Sequence, residues 1–283
     1  MKKRKQRNLI IWLILAVVVV VGGIFSFAHS QKQKAQTVTV GVMTQTNAEQ
    51  KIWEQIAKTA KDKYGVTVKL KSFTDYTQPN KALANGDVDL NAFQHYAFLD
   101  AWNKANKGSL TPIGKTFITP IHLYSQKYTS LKQLPNGATI AVPNDASNES
   151  RALFVLKNAG LITLKKQAGT LATVADIKSN PHNLKIKELG AEQTARALSD
   201  VDAAVVNTNY AQAAKLPDKD ILYTEPVNKD SKQWINVIVA NKKDKNKDAY
   251  KAVVKAYQTK EVKQLIHKYY GDKEITAWDL NLK

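Results

Sequence analysis

The chain has 283 residues, of which 43% are hydrophobic, so it is long enough to bury the core of one large or two medium domains. It contains no cysteine, which excludes disulfides, thiolate nucleophiles, cysteine-based zinc or iron–sulfur sites, and a lipid attached through an N-terminal cysteine. The formal net charge is +18, but the lysines are not interleaved with aromatic residues as in a nucleic-acid patch. We therefore expect anionic surroundings and no nucleic-acid partner.

The amino terminus predicts export. Residues 9–28 are uncharged and apolar, and the basic "KKRKQR" precedes them. At ~1.5 Å per residue such a helix crosses a ~30 Å hydrocarbon layer, which predicts an N-terminal transmembrane helix followed by a tether over 29–36. The positive-inside rule then places the later residues on the extracytoplasmic face. The alternative is a secreted protein whose signal is cleaved after Ala28, although the run exceeds the ~7–15 apolar residues usual in signals.

The first part of the exported chain alternates strands and helices. Its patterns predict, in chain order, strand 37–43, helix 48–65, strand 66–73, short helix 79–87, strand 88–93, helix 97–108 and an extended stretch over 114–125. A strand–helix–strand opening is typical of parallel pairing.

The pattern restarts after residue 137. It predicts strand 138–144, helices 150–160 and 173–180, strand 184–189, helix 192–200, strand 201–207, strands 220–226 and 234–241, and helices within 246–270.

These elements indicate an α/β protein of two lobes. Residues 37–120 and 208–283 are assigned to lobe 1, and residues 121–207 to lobe 2, with crossovers near 119–124 and 205–210. Ligands of such α/β pairs bind in the crevice outside the carboxyl ends of the strands.

Candidate site residues follow the predicted strand ends. They are Tyr76, Phe93, His95, Tyr96, residues 144–151, Asn207 and Asn236. His95 could be a base, a ligand or a hydrogen-bonding wall of a pocket.

Arg151 is predicted in the first turn of a helix that begins near Ser147 or Asn148, where its fork and the free N–H groups suit a carboxylate. The alternative is a surface arginine paired with Glu149 or with the neighbouring lobe. The amides of Asn207 and Asn236 suit an amino acid, or they form turns and strand caps.

No motif predicts an enzyme. The sequence has no nucleophile elbow, no phosphate-binding glycine loop and no clustered catalytic carboxylates, so no catalytic residue and no cofactor is assigned. A metal site is not expected, because no short spacing joins the remaining histidines, His29, His122, His182 and His267.

Four motifs resemble one family. "FTDYTQPNKAL", "GDVDLNAFQHYAFLD", "VPNDASNESRALFVLKNAGLI" and "VVNTNYA" are similar to the methionine-binding MetQ/NlpA family, the substrate-binding subunits of ABC importers. The similarity runs from about residue 37 to about residue 270.

The resemblance implies a type II periplasmic-binding fold that captures an amino acid, methionine in the first place, and delivers it to an ABC permease and its ATPase. Carried over by position, Arg151 would hold the α-carboxylate, and Asn207 and Asn236 the polar end, with Asn144 and Asn148 as further candidates. The residues that would line the side-chain pocket are Tyr76, Phe93, His95 and Tyr96.

Three features depart from the family. The lipid-bearing cysteine is missing, so the apolar helix would serve as the membrane anchor. Ala146 and Ser150 replace a usual proline and glycine, and Trp234 replaces a tyrosine, where its larger ring could narrow the pocket. Two alternatives remain: an exported enzyme using His95 in the cleft between the lobes, and a surface scaffold or adhesin that has lost its ligand.

Overall fold

The computed structural model describes residues 36–166 and 171–282. The predicted anchor over 9–28 and the tether up to residue 35 lie outside the described residues, so both stay predictions. In the described ranges, no helix combines the length and the hydropathy needed to span a bilayer.

The described part is a mixed α/β protein. Its helices, in chain order, are α1 (Asn47–Tyr64), α2 (Pro79–Asn85), α3 (Tyr96–Ala105), α4 (Ala146–Asn158), α5 (Thr208–Ala213), α6 (Asp248–Tyr257) and α7 (Lys260–Tyr270). Its strands are β1 (Gln36–Met43), β2 (Val66–Phe73), β3 (Leu90–His95), β4 (Leu110–Lys115), β5 (Phe117–Ile118), β6 (His122–Tyr124), β7 (Thr139–Pro143), β8 (Thr163–Leu164), β9 (Ile177–Ser179), β10 (Lys185–Leu189), β11 (Ala203–Val206), β12 (Ile221–Thr224), β13 (Asn236–Asn241) and β14 (Ile275–Thr276).

Two five-stranded sheets organise these elements. The first has the order β2-β1-β3-β13-β4, and the second has the order β10-β7-β11-β6-β12. In the first sheet β1 pairs in parallel with β2 and β3, as the opening strand–helix–strand pattern predicts, while β13 runs antiparallel to β3 and β4. In the second sheet β7 pairs in parallel with β10 and β11.

Helix α1 shows why the periodic segments are predictable. Thr46 and Glu49 form a capping box that satisfies free N–H groups at the start of the helix. Ile52 and Ile56 recur at helical spacing and are buried against the first sheet. The helix ends at Gly65, whose φ of 69° is left-handed, a conformation that glycine adopts without steric cost.

Two predicted helices are wrong. Residues 173–180 form a 3₁₀ turn over Val174–Asp176 and then strand β9, because Pro181 disfavours helical backbone before it and β9 pairs with β8. Residues 192–200 form two short 3₁₀ turns instead of one helix. Between them, the Thr194 hydroxyl donates to the carbonyl of Ala191 at 2.8 Å, a local bond that competes with helical pairing.

Long-range pairing changes two further predictions. The extended stretch 114–125 is divided among β4, β5 and β6, and Pro120 lies between the last two. Strand β12 pairs with β6 in the second sheet, although residues 208–283 were assigned to lobe 1. The lobe boundaries as a whole stay a prediction.

Candidate functional site

A cavity of about 100 Å³ lies between the two sheets. One water molecule requires ~10–15 Å³ by the same measure, so the cavity has room for a small organic molecule. Side chains that follow β2, β3, β7 and β11 line it together. The predicted residues found in its wall are Tyr76, Phe93, His95, Asn148, Arg151, Asn207 and Asn236.

Aromatic rings form the apolar side of this wall. Tyr76 lies 5.9 Å from Phe93 and 5.8 Å from Phe98 between ring centroids, and Phe93 and Phe98 meet edge to face at 5.6 Å. The Tyr76 hydroxyl donates to the side chain of Asn209. Asn209 lies in α5, directly after strand β11 of the second sheet. Tyr76 therefore joins residues of both sheets across the cavity.

Tyr96 is a predicted wall residue that the structure does not bring to the cavity. It is the first residue of α3 and packs on two apolar clusters, one containing Leu99 and the other Trp234. Phe98, two residues later on the helix, lines the cavity instead. Successive residues of a helix point ~100° apart, so Tyr96 and Phe98 point to nearly opposite sides of α3. A sequence analysis that begins this helix just after His95 would have distinguished the two rings.

His95 is held as a neutral hydrogen-bond donor. It caps α3, where its Nδ1 accepts from the N–H of Phe98 at 3.1 Å. The ring proton is thereby assigned to Nε2, which faces Asn148 Oδ1 at 3.3 Å. Burial first, and then the charge of Arg151, lowers the pKa of His95 to about 3.

We expect His95 to stay neutral throughout pH 5–8 in the folded protein. Its pKa lies below the ordinary value of 6.5, so its contribution to stability is complete above pH 6.5 and is lost as the pH falls toward 3. The ring ¹⁵N shifts from NMR would test this, with a His95→Gln variant for assignment. A ring that titrates near pH 6.5 would contradict it.

Arg151 lies beside the rings but already has an acidic partner. Its Nε and Nη2 donate to the two carboxylate oxygens of Glu225 at 2.9 and 2.6 Å, and Nη2 also donates to the carbonyl of Thr119 at 2.8 Å. The ring of Trp234 lies 4.8 Å from the guanidinium carbon. These three bonds do not use Nη1.

The surroundings of Arg151 correct the sequence analysis. The helix begins at Ala146 with Asp145 as its cap, so Arg151 lies in the second turn and not the first. The alternative partner, Glu149, instead accepts from the N–H of Val174 at 3.0 Å. The pairing of Arg151 with Glu225 was not predicted because no local pattern relates residues 74 positions apart.

The asparagines differ in their positions. Asn207 donates from Nδ2 to Asn148 Oδ1 at 2.8 Å, while its own Oδ1 is buried without a hydrogen-bond partner among the described residues. Asn236 donates only a long bond, 3.5 Å, to the carbonyl of Trp234. Asn144 is exposed and does not line the cavity. A buried acceptor without a donor is costly, so Asn207 Oδ1 suits a ligand N–H.

The residues noted as departures have structural roles. Ser150 is fully buried, and its hydroxyl accepts from the N–H of Ala172 at 2.9 Å. Trp234 is not part of the cavity wall, so its ring does not narrow the cavity, contrary to the expectation from sequence. Its ring instead supports Arg151 and meets His95 edge to face at 5.0 Å.

The described residues contain no group of three or more His, Asp or Glu side chains that could hold a metal ion. Polar residues of the wall that were not predicted include Gln45, Glu49, Thr116, Asn209 and Glu274. Glu225, the unpredicted partner of Arg151, lies behind the wall. Asn209 stands in the motif "VVNTNYA" and was open to prediction from sequence, whereas no motif marks Gln45, Thr116, Glu225 or Glu274 as site residues.

Comparisons with known proteins agree in family and fold. The family model described as NlpA lipoprotein matches residues 38–278. The D-methionine-binding lipoprotein MetQ of Salmonella typhimurium is 43% identical over 85% of this chain and 88% of its own length.

Two solved structures have the same fold. The substrate-binding protein of a methionine transporter from Streptococcus pneumoniae is 49% identical, with a TM-score of 0.81 over 86% of this chain and 96% of that one. A nutrient-binding protein from Burkholderia cenocepacia bound to methionine is 46% identical, with a TM-score of 0.80 over 85% of this chain and 99% of that one.

Proposed function

The chain belongs to the NlpA lipoprotein family, and from that membership we propose that it is an extracytoplasmic substrate-binding protein for methionine that serves an ABC importer. The observation that carries the proposal is the one cavity that the aromatic rings share with Arg151. The protein captures the amino acid, and no bond of the ligand is made or broken.

The polar end of methionine fits the amide and guanidinium groups. Arg151 Nη1 is directed to the α-carboxylate, and Glu225 holds the guanidinium in place through the other two nitrogens. Asn207 Oδ1, which lacks a donor among the described residues, accepts from the α-ammonium group. Asn148 and Asn236 complete the polar wall.

The side chain of methionine fits the aromatic wall. A thioether is polarizable and packs on ring edges at ~0.3–1.5 kcal/mol per contact, so Tyr76, Phe93 and Phe98 supply a suitable surface. His95 donates from Nε2 and closes one end of this wall. Because Nδ1 is used by the N–H of Phe98, His95 is not a free base, which favours binding over catalysis.

Transport follows from closure of a two-lobed, type II arrangement. Side chains of both sheets contact the ligand, so the ligand stabilises the closed form, and the closed form docks on the permease that a cytoplasmic ATPase drives. We place the domain on the outer face of the cell membrane, held by the segment over 9–28 or secreted after its cleavage. Mass spectrometry of the mature N-terminus distinguishes these two forms.

Calorimetric titration of purified residues 35–283 with L-methionine tests the function. We expect saturable binding with one site and no change in the ligand, and a parallel titration with D-methionine ranks the two enantiomers. Leucine, of similar size but without sulfur, is the control ligand and should bind at least tenfold more weakly. Conversion of methionine would support the exported enzyme, and an absence of binding would support the scaffold.

A further inference from the structure

One part of the cavity wall is formed by side chains from the first sheet's half of the molecule. We call this the acidic compartment, and its walls are Gln45, Glu49, Trp53, Thr116, Tyr257 and Glu274. Three chain segments form it: the start of α1, the end of α6, and the segment before β14. The N–H of Ala277 donates to the carbonyl of Thr116 at 2.9 Å and holds that segment against β5.

Glu274 is the residue of this compartment whose buried carboxyl group has no hydrogen-bond or ion-pair partner among the described residues. Its side chain is only 7% exposed, and it lines the cavity. Among the described residues, its carboxyl group makes no hydrogen bond or ion pair, and Glu49 is the neighbour that acts on it electrostatically. A carboxyl group buried without a partner costs free energy, which a bound donor or cation would recover.

The rest of the compartment also favours a positive group. Burial raises the pKa of Glu49, while its place in the first turn of α1 and the hydrogen bond that it accepts from the N–H of Thr46 at 2.7 Å act against that rise, and a cation beside it would favour the charged form further. Trp53 and Tyr257 meet edge to face with their ring centroids 5.7 Å apart, and aromatic faces attract desolvated cations. The amide nitrogen of Gln45, buried without a hydrogen-bond partner in the described part, is a donor that calls for an acceptor and adds nothing to the attraction for a cation.

Within residues 36–166 and 171–282, no lysine or arginine pairs with the carboxyl groups of the compartment. Arg151 is the one lysine or arginine among the described residues that line the cavity, and Glu225 already pairs with it, while His95 is neutral. The two carboxyl groups of the compartment do not form a metal-binding group of three or more His, Asp or Glu side chains, and no such group occurs in the part of the chain that the structure describes. A positive group that pairs with these carboxyl groups must therefore come with a bound molecule, and it has to displace the proton of Glu274.

We propose that the acidic compartment is a subsite for a compact cationic group, a sulfonium or an ammonium, carried by an amino-acid ligand whose carboxylate is held by Arg151. The subsite rests on the proposed function, because it extends the same cavity. It widens the ligand class from methionine to amino acids with a positively charged side chain, of which S-methyl-L-methionine is the nearest in size.

Proton binding competes with the cation. Burial first, and then the charge of Glu49, raises the pKa of Glu274 to about 8, so Glu274 carries a proton at pH 7 when the compartment is empty. The other titratable groups that face it are Glu49 on α1, Tyr257 on α6 and Tyr270 on α7. Burial raises the pKa of both tyrosines above their ordinary value of 10.0, so both stay protonated over the pH range of the test.

The test compares L-methionine with S-methyl-L-methionine by calorimetry, because the two ligands differ by one methyl group and one positive charge. In the wild-type protein we expect both to bind, and the Glu274→Gln variant should raise the ratio of the S-methyl-L-methionine Kd to the methionine Kd at least tenfold. Between pH 6.5 and 8.5 this ratio should fall severalfold in the wild type and stay level in the variant.

The Glu54→Gln variant is the matched control. It removes an exposed carboxylate from α1, the helix that carries Glu49, and should leave the ratio of the two Kd values unchanged. If methionine binds and Glu274→Gln changes the ratio less than twofold, or if the wild type binds only methionine, the subsite is overturned and the proposed function stands. If only S-methyl-L-methionine binds and the variant abolishes this, the subsite stands and methionine is the wrong ligand. If neither ligand binds, both proposals are wrong.

Discussion

Replacing Arg151 by alanine is expected to lower the affinity for methionine by about thirtyfold or more. A charge-assisted pair that is fully desolvated in a binding site is worth about 2–5 kcal/mol when one partner is truncated, and about 1.4 kcal/mol corresponds to tenfold in Kd. Arg151 is 2% exposed, so water cannot replace its guanidinium at the carboxylate. Calorimetric titration of the variant with L-methionine measures the loss.

The same variant should also unfold more easily. Glu225 is 8% exposed, and without Arg151 it keeps only the N–H of Ile121, at 3.1 Å, to satisfy its buried carboxylate. Removing one partner of a buried ion pair leaves the other charge unpaired and lowers the free energy of unfolding by about 3–5 kcal/mol. The double variant Arg151→Met, Glu225→Leu removes both charges and should recover much of this stability without recovering binding.

This double variant separates the two effects. If it regains the wild-type unfolding free energy in urea and still fails to bind methionine, the guanidinium acts on the ligand directly. An exposed arginine, Arg196, gives the control, because Arg196→Ala should change neither measurement. A single Arg151→Ala variant that binds methionine with wild-type affinity would refute the assigned carboxylate contact.

The second large effect concerns stability as a function of pH at Glu274. Its pKa is about 8 in the folded protein and 4.5 in the reference state, so the folded state keeps a proton that the unfolded state has lost. The folded state therefore loses stability as the pH rises from 4.5 to 8, and the full cost is present above pH 8. At ~1.4 kcal/mol per pKa unit, this cost is on the order of 3–5 kcal/mol.

The Glu274→Gln variant removes this cost while it keeps the size of the side chain. Relative to the wild type, its unfolding free energy should improve by about 3–5 kcal/mol between pH 5 and pH 9. Urea denaturation at these two pH values measures the change, and Glu54→Gln, on the surface of α1, should show none. Parallel pH profiles of wild type and Glu274→Gln would contradict a buried carboxyl group at this position.

Local patterns identify most of the elements that carry the site. Helix α1 has a capping box, an apolar stripe and a terminal glycine, so its bounds follow from nearest-neighbour chemistry. The helices predicted over 173–180 and 192–200 fail because a proline, a strand partner and a threonine hydroxyl compete with helical pairing. Helix propensity is a weak local preference, and tertiary contacts such as the pairing of β9 with β8 override it.

The candidate site shows the same division. Seven of the eight predicted site residues line the cavity because residues at or just after the carboxyl ends of parallel strands, and Asn236 at the start of the antiparallel β13, meet at one edge of an α/β sheet. Tyr96 fails because the side of a helix that faces the cavity depends on the residue at which the helix begins, and one or two positions turn the side chain away.

The sequence alone determined the α/β class, the family motifs and the residue types at the strand ends, because these depend on short-range periodicity and on spacing along the chain. Only the tertiary structure decided that Glu225 pairs with Arg151, that β12 joins the second sheet, and that Glu274 lies beside Glu49. Each of these contacts joins residues about seventy or more positions apart along the chain. Burial and sheet register bring such partners together as the chain folds, so no local pattern in the sequence identifies them.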